Sequence, residues 1–125
     1  MSDAVDIYAE RAACPLYTAI AVIDGRWKPM IFQRLSERPL AFGELRRTMP
    51  RVTTKVLRAQ LREMVADDLI VRDGLASARL GAKYRVTAHG RSLEPVFEAL
   101  WCWGKRHLAR QGASRGTRVA APVSA

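Results

Sequence analysis

The hydrophobic spacing of this chain switches from helical to alternating at Ile70, and that switch limits the possible folds more than any other feature. Upstream of Ile70 the apolar residues recur at helical intervals. Leu16, Ile20 and Ile23 fall at i, i+4 and i+7, and so do Leu57, Leu61 and Met64. Downstream, Ile70 and Val71 open a strand, and Ala82, Tyr84 and Val86 alternate as a strand returning. A glycine- and alanine-rich stretch, Gly74 to Gly81, lies between them as the loop of a hairpin. A helical pattern then resumes. The expected fold is mainly α with a small β hairpin, and 125 residues suit one domain.

Punctuation residues divide the helical part. Pro15 sits at a helix start with Cys14 before it, and Gly25 closes that helix. A second helix is predicted from Trp27 to Ser36, with Trp27, Met30, Ile31 and Leu35 as its inward stripe and Pro29 tolerated in its first turn. Glu37 to Ala41 reads as a turn with one short strand. Phe42 to Met49 reads as a third helix, with Phe42, Leu45 and Met49 inward and Pro50 ending it. Thr53 offers an N-cap hydroxyl to a fourth helix from Thr54 to Asp67. The last helix is expected from Ala88 to Arg110, capped by Thr87 and bent at Pro95, with Leu93, Val96, Phe97, Leu100, Trp103 and Leu108 on a broad apolar face. Residues 1–13 are expected to be a flexible lead-in and residues 111–125 a disordered tail rich in Ala, Gly, Ser and Arg. The domain itself then covers 14–110.

Helix, short turn, helix and hairpin is the order of a winged helix-turn-helix, a fold that docks a helix in DNA. The placement of charge bears on that reading. The net charge is +9, which suits a polyanionic partner, although plain solubility produces the same sum. From Arg46 to Arg62 there are six basic residues and no acidic one. On the fourth helix Lys55, Arg58 and Arg62 are spaced by three and four. At about 100° per residue they share one stripe, roughly 120° from the stripe of Leu57, Leu61 and Met64. One face can dock on a core while another presents cations to a major groove, guanidinium forks to guanine and ammonium groups to phosphate. A solvated helix face is the competing explanation, but such faces normally mix signs. Thr54 is placed to reach a base or a phosphate, and Arg47 adds to the basic run. Arg79 is the sole cation of the loop, where it can touch the minor groove or serve solubility.

The last helix carries more apolar surface than so small a core can cover. Trp101 and Trp103, with Phe97 and Leu100, leave a second apolar side that needs a partner, and a second copy of the chain is the simplest. A homodimer through the N- and C-terminal helices, burying Leu16, Ile20, Phe97, Leu100 and Trp103, would set two recognition helices about 34 Å apart, one DNA turn.

Several motifs in order resemble the HxlR family of bacterial regulators. They are Cys14-Pro15-Leu16, Gly25-Arg26-Trp27-Lys28-Pro29-Met30-Ile31, Phe42-Gly43-Glu44-Leu45-Arg46-Arg47, Leu57-Arg58-Ala59-Gln60-Leu61-Arg62-Glu63, and Tyr84-Arg85-Val86-Thr87-Ala88-His89-Gly90-Arg91-Ser92-Leu93. The likeness spans residues 14 to 104. It implies a winged-helix homodimer joined by its first and last helices, controlling its own or neighbouring genes, often in response to oxidants, quinones, aldehydes or other reactive small molecules. It also implies a sensing role for Cys14, and a helix N-terminus does favour a thiolate. A small residue packed at the dimer contact is the other reading of Cys14; Cys102, between two tryptophans, reads as packed.

The chain departs from the family pattern in three places. Asp68 replaces a glycine at the end of the recognition helix, where a left-handed residue other than glycine costs on the order of 1 kcal/mol. The loop lacks a proline pair and a tyrosine. Lys83 replaces an acid in the returning strand.

Other function classes receive little from the sequence. No Ser/His/acid grouping and no phosphate-cradling glycine loop is present, so no enzyme and no cofactor is expected. Cys14, Cys102, His89 and His107 lack the close pairs of a metal site. No apolar run of 18 or more residues spans a membrane. Asp3, Asp6 and Glu10 do not suit a signal peptide, which together with so few cysteines makes a cytoplasmic location the expectation. The expected partners are double-stranded operator DNA, a second copy and an oxidant or small-molecule effector. The alternative is a nonspecific architectural nucleic-acid binder, and a winged helix that binds another protein through its basic helix is a further one.

Overall fold

A computed structural model describes residues 14–74 and 81–115, with side chains as far as Ala113. Helix α1 spans Pro15–Ile23, with its proline in the first turn and no side-chain cap from Cys14. Helix α2 spans Lys28–Glu37 and buries Lys28, Ile31, Phe32 and Leu35. Strand β1 is Leu40–Ala41. Helix α3, Phe42–Thr48, starts with the Glu44 carboxylate accepting from the Ala41 amide at 2.8 Å.

Helix α4, Thr54–Ala66, is capped at both ends. The Thr53 hydroxyl accepts from the Val56 amide at 3.2 Å. At the other end Asp68 takes φ +59°, its amide donates to Val65 O at 2.9 Å, and the Leu69 amide donates to Met64 O at 2.9 Å. This pair of bonds is a Schellman cap with aspartate in the position that glycine usually takes.

Strands β2, Ile70–Asp73, and β3, Lys83–Val86, run antiparallel with Ile70 opposite Val86 and Asp73 opposite Lys83. Strand β1 joins the free edge of β3, Leu40 opposite Tyr84, so the hairpin grows into a three-stranded sheet in the order β1-β3-β2. The core lies between this sheet and α2, α3 and α4. Ile31, Leu35, Leu45, Met49, Leu57, Leu61, Met64 and Ile70 are all buried there. Of the stripe expected on the second helix, Ile31 and Leu35 are buried, whereas Trp27 and Met30 are half-buried at its edge.

The single bent helix expected from Ala88 to Arg110 is instead two helices. Helix α5 is only Ala88–Arg91, and helix α6 runs Glu94–Arg115. The chain breaks at Ser92 and Leu93, and Pro95 falls in the first turn of α6 rather than at a bend inside a helix. The reason is steric: in one continuous helix Pro95 has no amide to bond the Arg91 carbonyl and its ring clashes with that group, so a new start is cheaper than a kink. The break is locked by Thr87 and Gly90. The Thr87 hydroxyl accepts from the Gly90 amide at 2.9 Å, and a Cβ on Gly90 would stand 2.1 Å from Leu69 O. Helix α6 also extends past Arg110, so residues 111–115 of the expected tail are helical. Residues 1–13, the rest of that tail, and Arg79 with most of its loop lie outside the described residues. No helix among the described residues is long and apolar enough to cross a membrane.

Candidate nucleic-acid interface

The second helix of the helix-turn-helix is α4, and its two faces separate as the wheel predicts. Leu57, Leu61 and Met64 are buried. Thr54, Lys55, Arg58 and Arg62 are all exposed, together on one side. The Thr53 cap leaves Thr54 free for other contacts. Arg47, on the last turn of α3, is exposed as well. The structure thus brings four of the six residues expected to touch DNA onto one face of α4, with Arg47 exposed on α3.

Arg58 and Arg62 open onto a hollow of about 520 Å³ between α4 and the sheet, lined also by Phe42, Val65, Arg72 and Tyr84. The Arg58 guanidinium stands 4.1 Å from the centre of the Phe42 ring. That stacking restricts the long side chain and leaves the edges of its fork available for hydrogen bonds. Arg72 is a cation of this surface that the sequence reading missed. Its signal was available in the strand register, which places it opposite Tyr84.

Acidic residues near this surface are neutralised. Arg85 binds the Asp73 carboxylate across the hairpin. The Glu44 pKa is lowered first by the Ala41 amide, which outweighs the opposing effect of burial, and the positive charges of Lys83, Arg38 and Arg47 each add a smaller lowering. The site is therefore cationic with its few carboxylates engaged internally, an arrangement suited to phosphate and base edges.

Lys28, another residue missed from sequence, is the sole charged side chain buried among the described residues. Its Nζ lies 2.6 Å from Glu63 Oε1 on α4. The signal was its place inside the apolar stripe of α2, three residues after a glycine.

The remaining expected site residues lie on the flanking helices. Cys14 is a free, half-buried thiol at the N-cap of α1. Leu16, Ile20, Leu100 and Trp103 are exposed on α1 and α6, and so is Trp101, at 66%. Phe97 differs from them: it is half-buried within the protomer, its ring centre 4.7 Å from that of Phe32.

A recognition helix with a cationic outer stripe, carried on a three-stranded wing sheet, defines a DNA-binding winged helix-turn-helix transcriptional regulator. The comparisons with known proteins agree and give the family. A model described as HxlR-like helix-turn-helix matches residues 22–112. The chain is 33% identical to the HTH-type transcriptional regulator YybR of Bacillus subtilis over 105 residues, 84% of each protein. The crystal structure of the HTH-type regulator ytcD superposes with a TM-score of 0.71 at 34% identity, over 77% of this chain and 98% of that one. The redox regulator HypR in its reduced form gives 0.68 at 32% identity, over 74% and 92%. This chain belongs to the HxlR family.

Proposed function

We propose that the protein is a cytoplasmic, sequence-specific regulator that binds an operator as a homodimer and changes its affinity in response to a reactive or small-molecule inducer. The observation that carries this reading is the stripe of Lys55, Arg58 and Arg62, exposed together on α4 while the Leu57, Leu61 and Met64 side of the helix is buried. In this reading Arg58 forks onto a guanine, and Lys55, Arg62, Thr54 and Arg47 hold phosphates. Arg79 extends the contact from the wing. The protein acts by binding and not by catalysis.

The exposed apolar residues of α1 and α6 support the dimer. Leu16, Ile20, Leu100 and Trp103 form its contact, with Phe97 beneath them. Cys14 sits at the start of α1, within that contact, so oxidation or alkylation there would shift one recognition helix against the other. The likeness to HypR, a redox regulator solved in reduced and oxidised forms, supports a thiol-based response. A nonspecific architectural role is less well supported, because Lys55, Arg58 and Arg62 share one stripe of α4 inside a stretch, Arg46 to Arg62, that holds no acidic residue.

Footprinting on the DNA upstream of the protein's own gene, with and without oxidant, tests this reading. The expected result is two protected half-sites about one helical turn apart, resistant to competitor DNA. Oxidant should alter protection by the native protein and not by Cys14→Ser. Protection that competitor DNA removes in proportion to its amount would point to architectural binding. A Cys14→Ser variant with the full response would place the sensor elsewhere.

A further inference from the structure

Two directional bonds leave the turn between α1 and α2 and land on one side of α4. The Trp27 amide donates to Gln60 Oε1 at 3.0 Å, and Lys28 Nζ pairs with Glu63 Oε1 at 2.6 Å. The Lys28 side chain is 4% exposed and that of Glu63 59%. Gly25 makes the path possible: a Cβ there would stand 2.8–2.9 Å from Lys28 Cγ, Cδ and Cε. The glycine three residues before the lysine is therefore a groove for its stem.

Burying an ammonium is costly even when it is paired, and an apolar side chain of similar length would pack at least as well. What the pair adds is direction. The stripe of Leu57, Leu61 and Met64 holds α4 against the core through contacts that tolerate small rotations. On the helical wheel Gln60 and Glu63 lie roughly 100° to one side of that stripe, and Lys55, Arg58 and Arg62 roughly 120° to the other. The bonds thus grip the flank of α4 away from the reading face. A side-chain tip roughly 6 Å from a helix axis moves about 1 Å for each 10° of rotation. Base readout tolerates only about half an ångström of such error.

We propose that Trp27, Lys28, Gln60 and Glu63 form a clamp that fixes the rotation of the recognition helix and ties it to the α1–α2 turn. Lys28 and Gln60 are positioning residues: they touch no DNA and act through the orientation of Arg58. This rests on the reading that α4 recognises DNA. It goes further by naming the link through which a displacement of α1 at the dimer contact reaches the base-reading side chains.

The test uses the full-length protein and a duplex that it enriches from a random pool. Affinity for that duplex and for an unrelated duplex of equal length is measured at two salt concentrations, beside the melting temperature. Gly25→Ala keeps both charges of the pair but blocks the stem's path, and Gln60→Leu removes the acceptor. Each should lower the ratio of the two affinities by about tenfold, the worth of one misplaced base contact. Affinity for the unrelated duplex and its salt dependence should stay unchanged, since the phosphate contacts persist. Gln60→Glu, which still accepts from the Trp27 amide, should restore the ratio. An unchanged ratio in Gly25→Ala and Gln60→Leu would overturn the clamp and leave DNA recognition by α4 standing. So would a parallel fall of both affinities with the melting temperature, which is what a purely structural role produces. If Gly25→Ala does not fold, the two Gln60 variants decide alone. A native protein that enriches no duplex would overturn sequence recognition itself, and the clamp with it.

Discussion

Leu61 and Leu100 are both leucines on helices, the first 1% exposed and the second 49%. They stand for two regions of the molecule. Between Ile31 and Val86 each apolar stripe meets another: α4 lies on α2 and the sheet, and α3 closes the end. On the flanking helices the same residue types face outward. Helix α1 buries none of its nine residues, and α6 exposes Val96, Leu100, Trp101, Trp103 and Leu108. Full burial of one such side chain contributes about 1.5–3 kcal/mol. The body of the protein collects that energy within one chain. On the flanking helices Val22 and Phe97 pack on the core, but the exposed side chains would collect it only in the homodimer proposed above, so this comparison separates residues that hold the fold from those proposed to hold an assembly.

The largest effect should come from the body. Leu61→Ala should lower the stability of the protomer by about 2–5 kcal/mol in denaturant unfolding, because its site at the centre of α4 has little room to collapse. A loss below about 1 kcal/mol would mean that the core is not built around α4. Trp103→Glu should act differently. It should dissociate the dimer, with a loss of about 2 kcal/mol or more in association energy, while helical content stays near native. Sedimentation at micromolar concentration checks this. A native protein that is a folded monomer there would break the contrast between the two regions. Third in size, Arg58→Ala should weaken operator binding by about 1–3 kcal/mol and relax preference at one base position. Unchanged operator affinity after alanine replacement of Lys55, Arg58 and Arg62 together would show that α4 is not the reading helix.

The same contrast explains what could be read from the sequence. The stripes of the body were legible because each obeys a single period and ends at a strong signal, such as Thr53 or Pro50. The cationic side of α4 followed from spacing alone. The break at Ser92 was only partly legible: Pro95 signalled a disturbance, but the apolar pattern runs through it, and the close approach of Gly90 to Leu69 O, which helps fix the turn, is invisible in the sequence. Lys28 was hidden for the opposite reason. A lysine in an apolar stripe reads as a surface residue until a carboxylate on another helix is found beside it. Phe97 belonged to a broad apolar face from which periodicity could not say which residues serve the protomer and which a partner.

Asp68→Gly should produce a smaller effect, and a gain. Asp68 holds a left-handed conformation at the end of α4, and the bonds around it are made by backbone groups that glycine keeps. The Thr87 hydroxyl also reaches the backbone oxygen of residue 68, at 2.6 Å, so that contact survives. Glycine removes the Cβ penalty but adds freedom to the unfolded chain, which leaves a net gain of about 0.5–1 kcal/mol. Asp68→Val should lose stability instead, since a β-branched residue tolerates that conformation poorly. Equal stability of the two variants would show that the cap is not under strain. Neither variant should alter the dimer, because the cap belongs wholly to the body.

The smallest effect should appear in the acid limb of the stability curve. Glu44 starts α3, accepts from the Ala41 amide, and has an Arg38 nitrogen 3.8 Å from its other oxygen. The amide first, then Lys83, Arg38 and Arg47, lower its pKa in the folded protein. A lowered folded pKa means that the unfolded chain takes up the proton first as pH falls. The stabilisation from this carboxylate is therefore fully present above the ordinary glutamate range. It is lost as pH falls from there through the folded pKa. Solvent and salt screen the neighbouring charges, which keeps the contribution below the others. Glu44→Gln retains an oxygen for the Ala41 amide but cannot titrate. Its stability should fall slightly short of the native protein near neutral pH and meet it in acid. Unfolding midpoints of the two proteins, measured from neutral pH downward, should converge. A constant difference across that range would assign the effect to packing at the start of α3 rather than to charge.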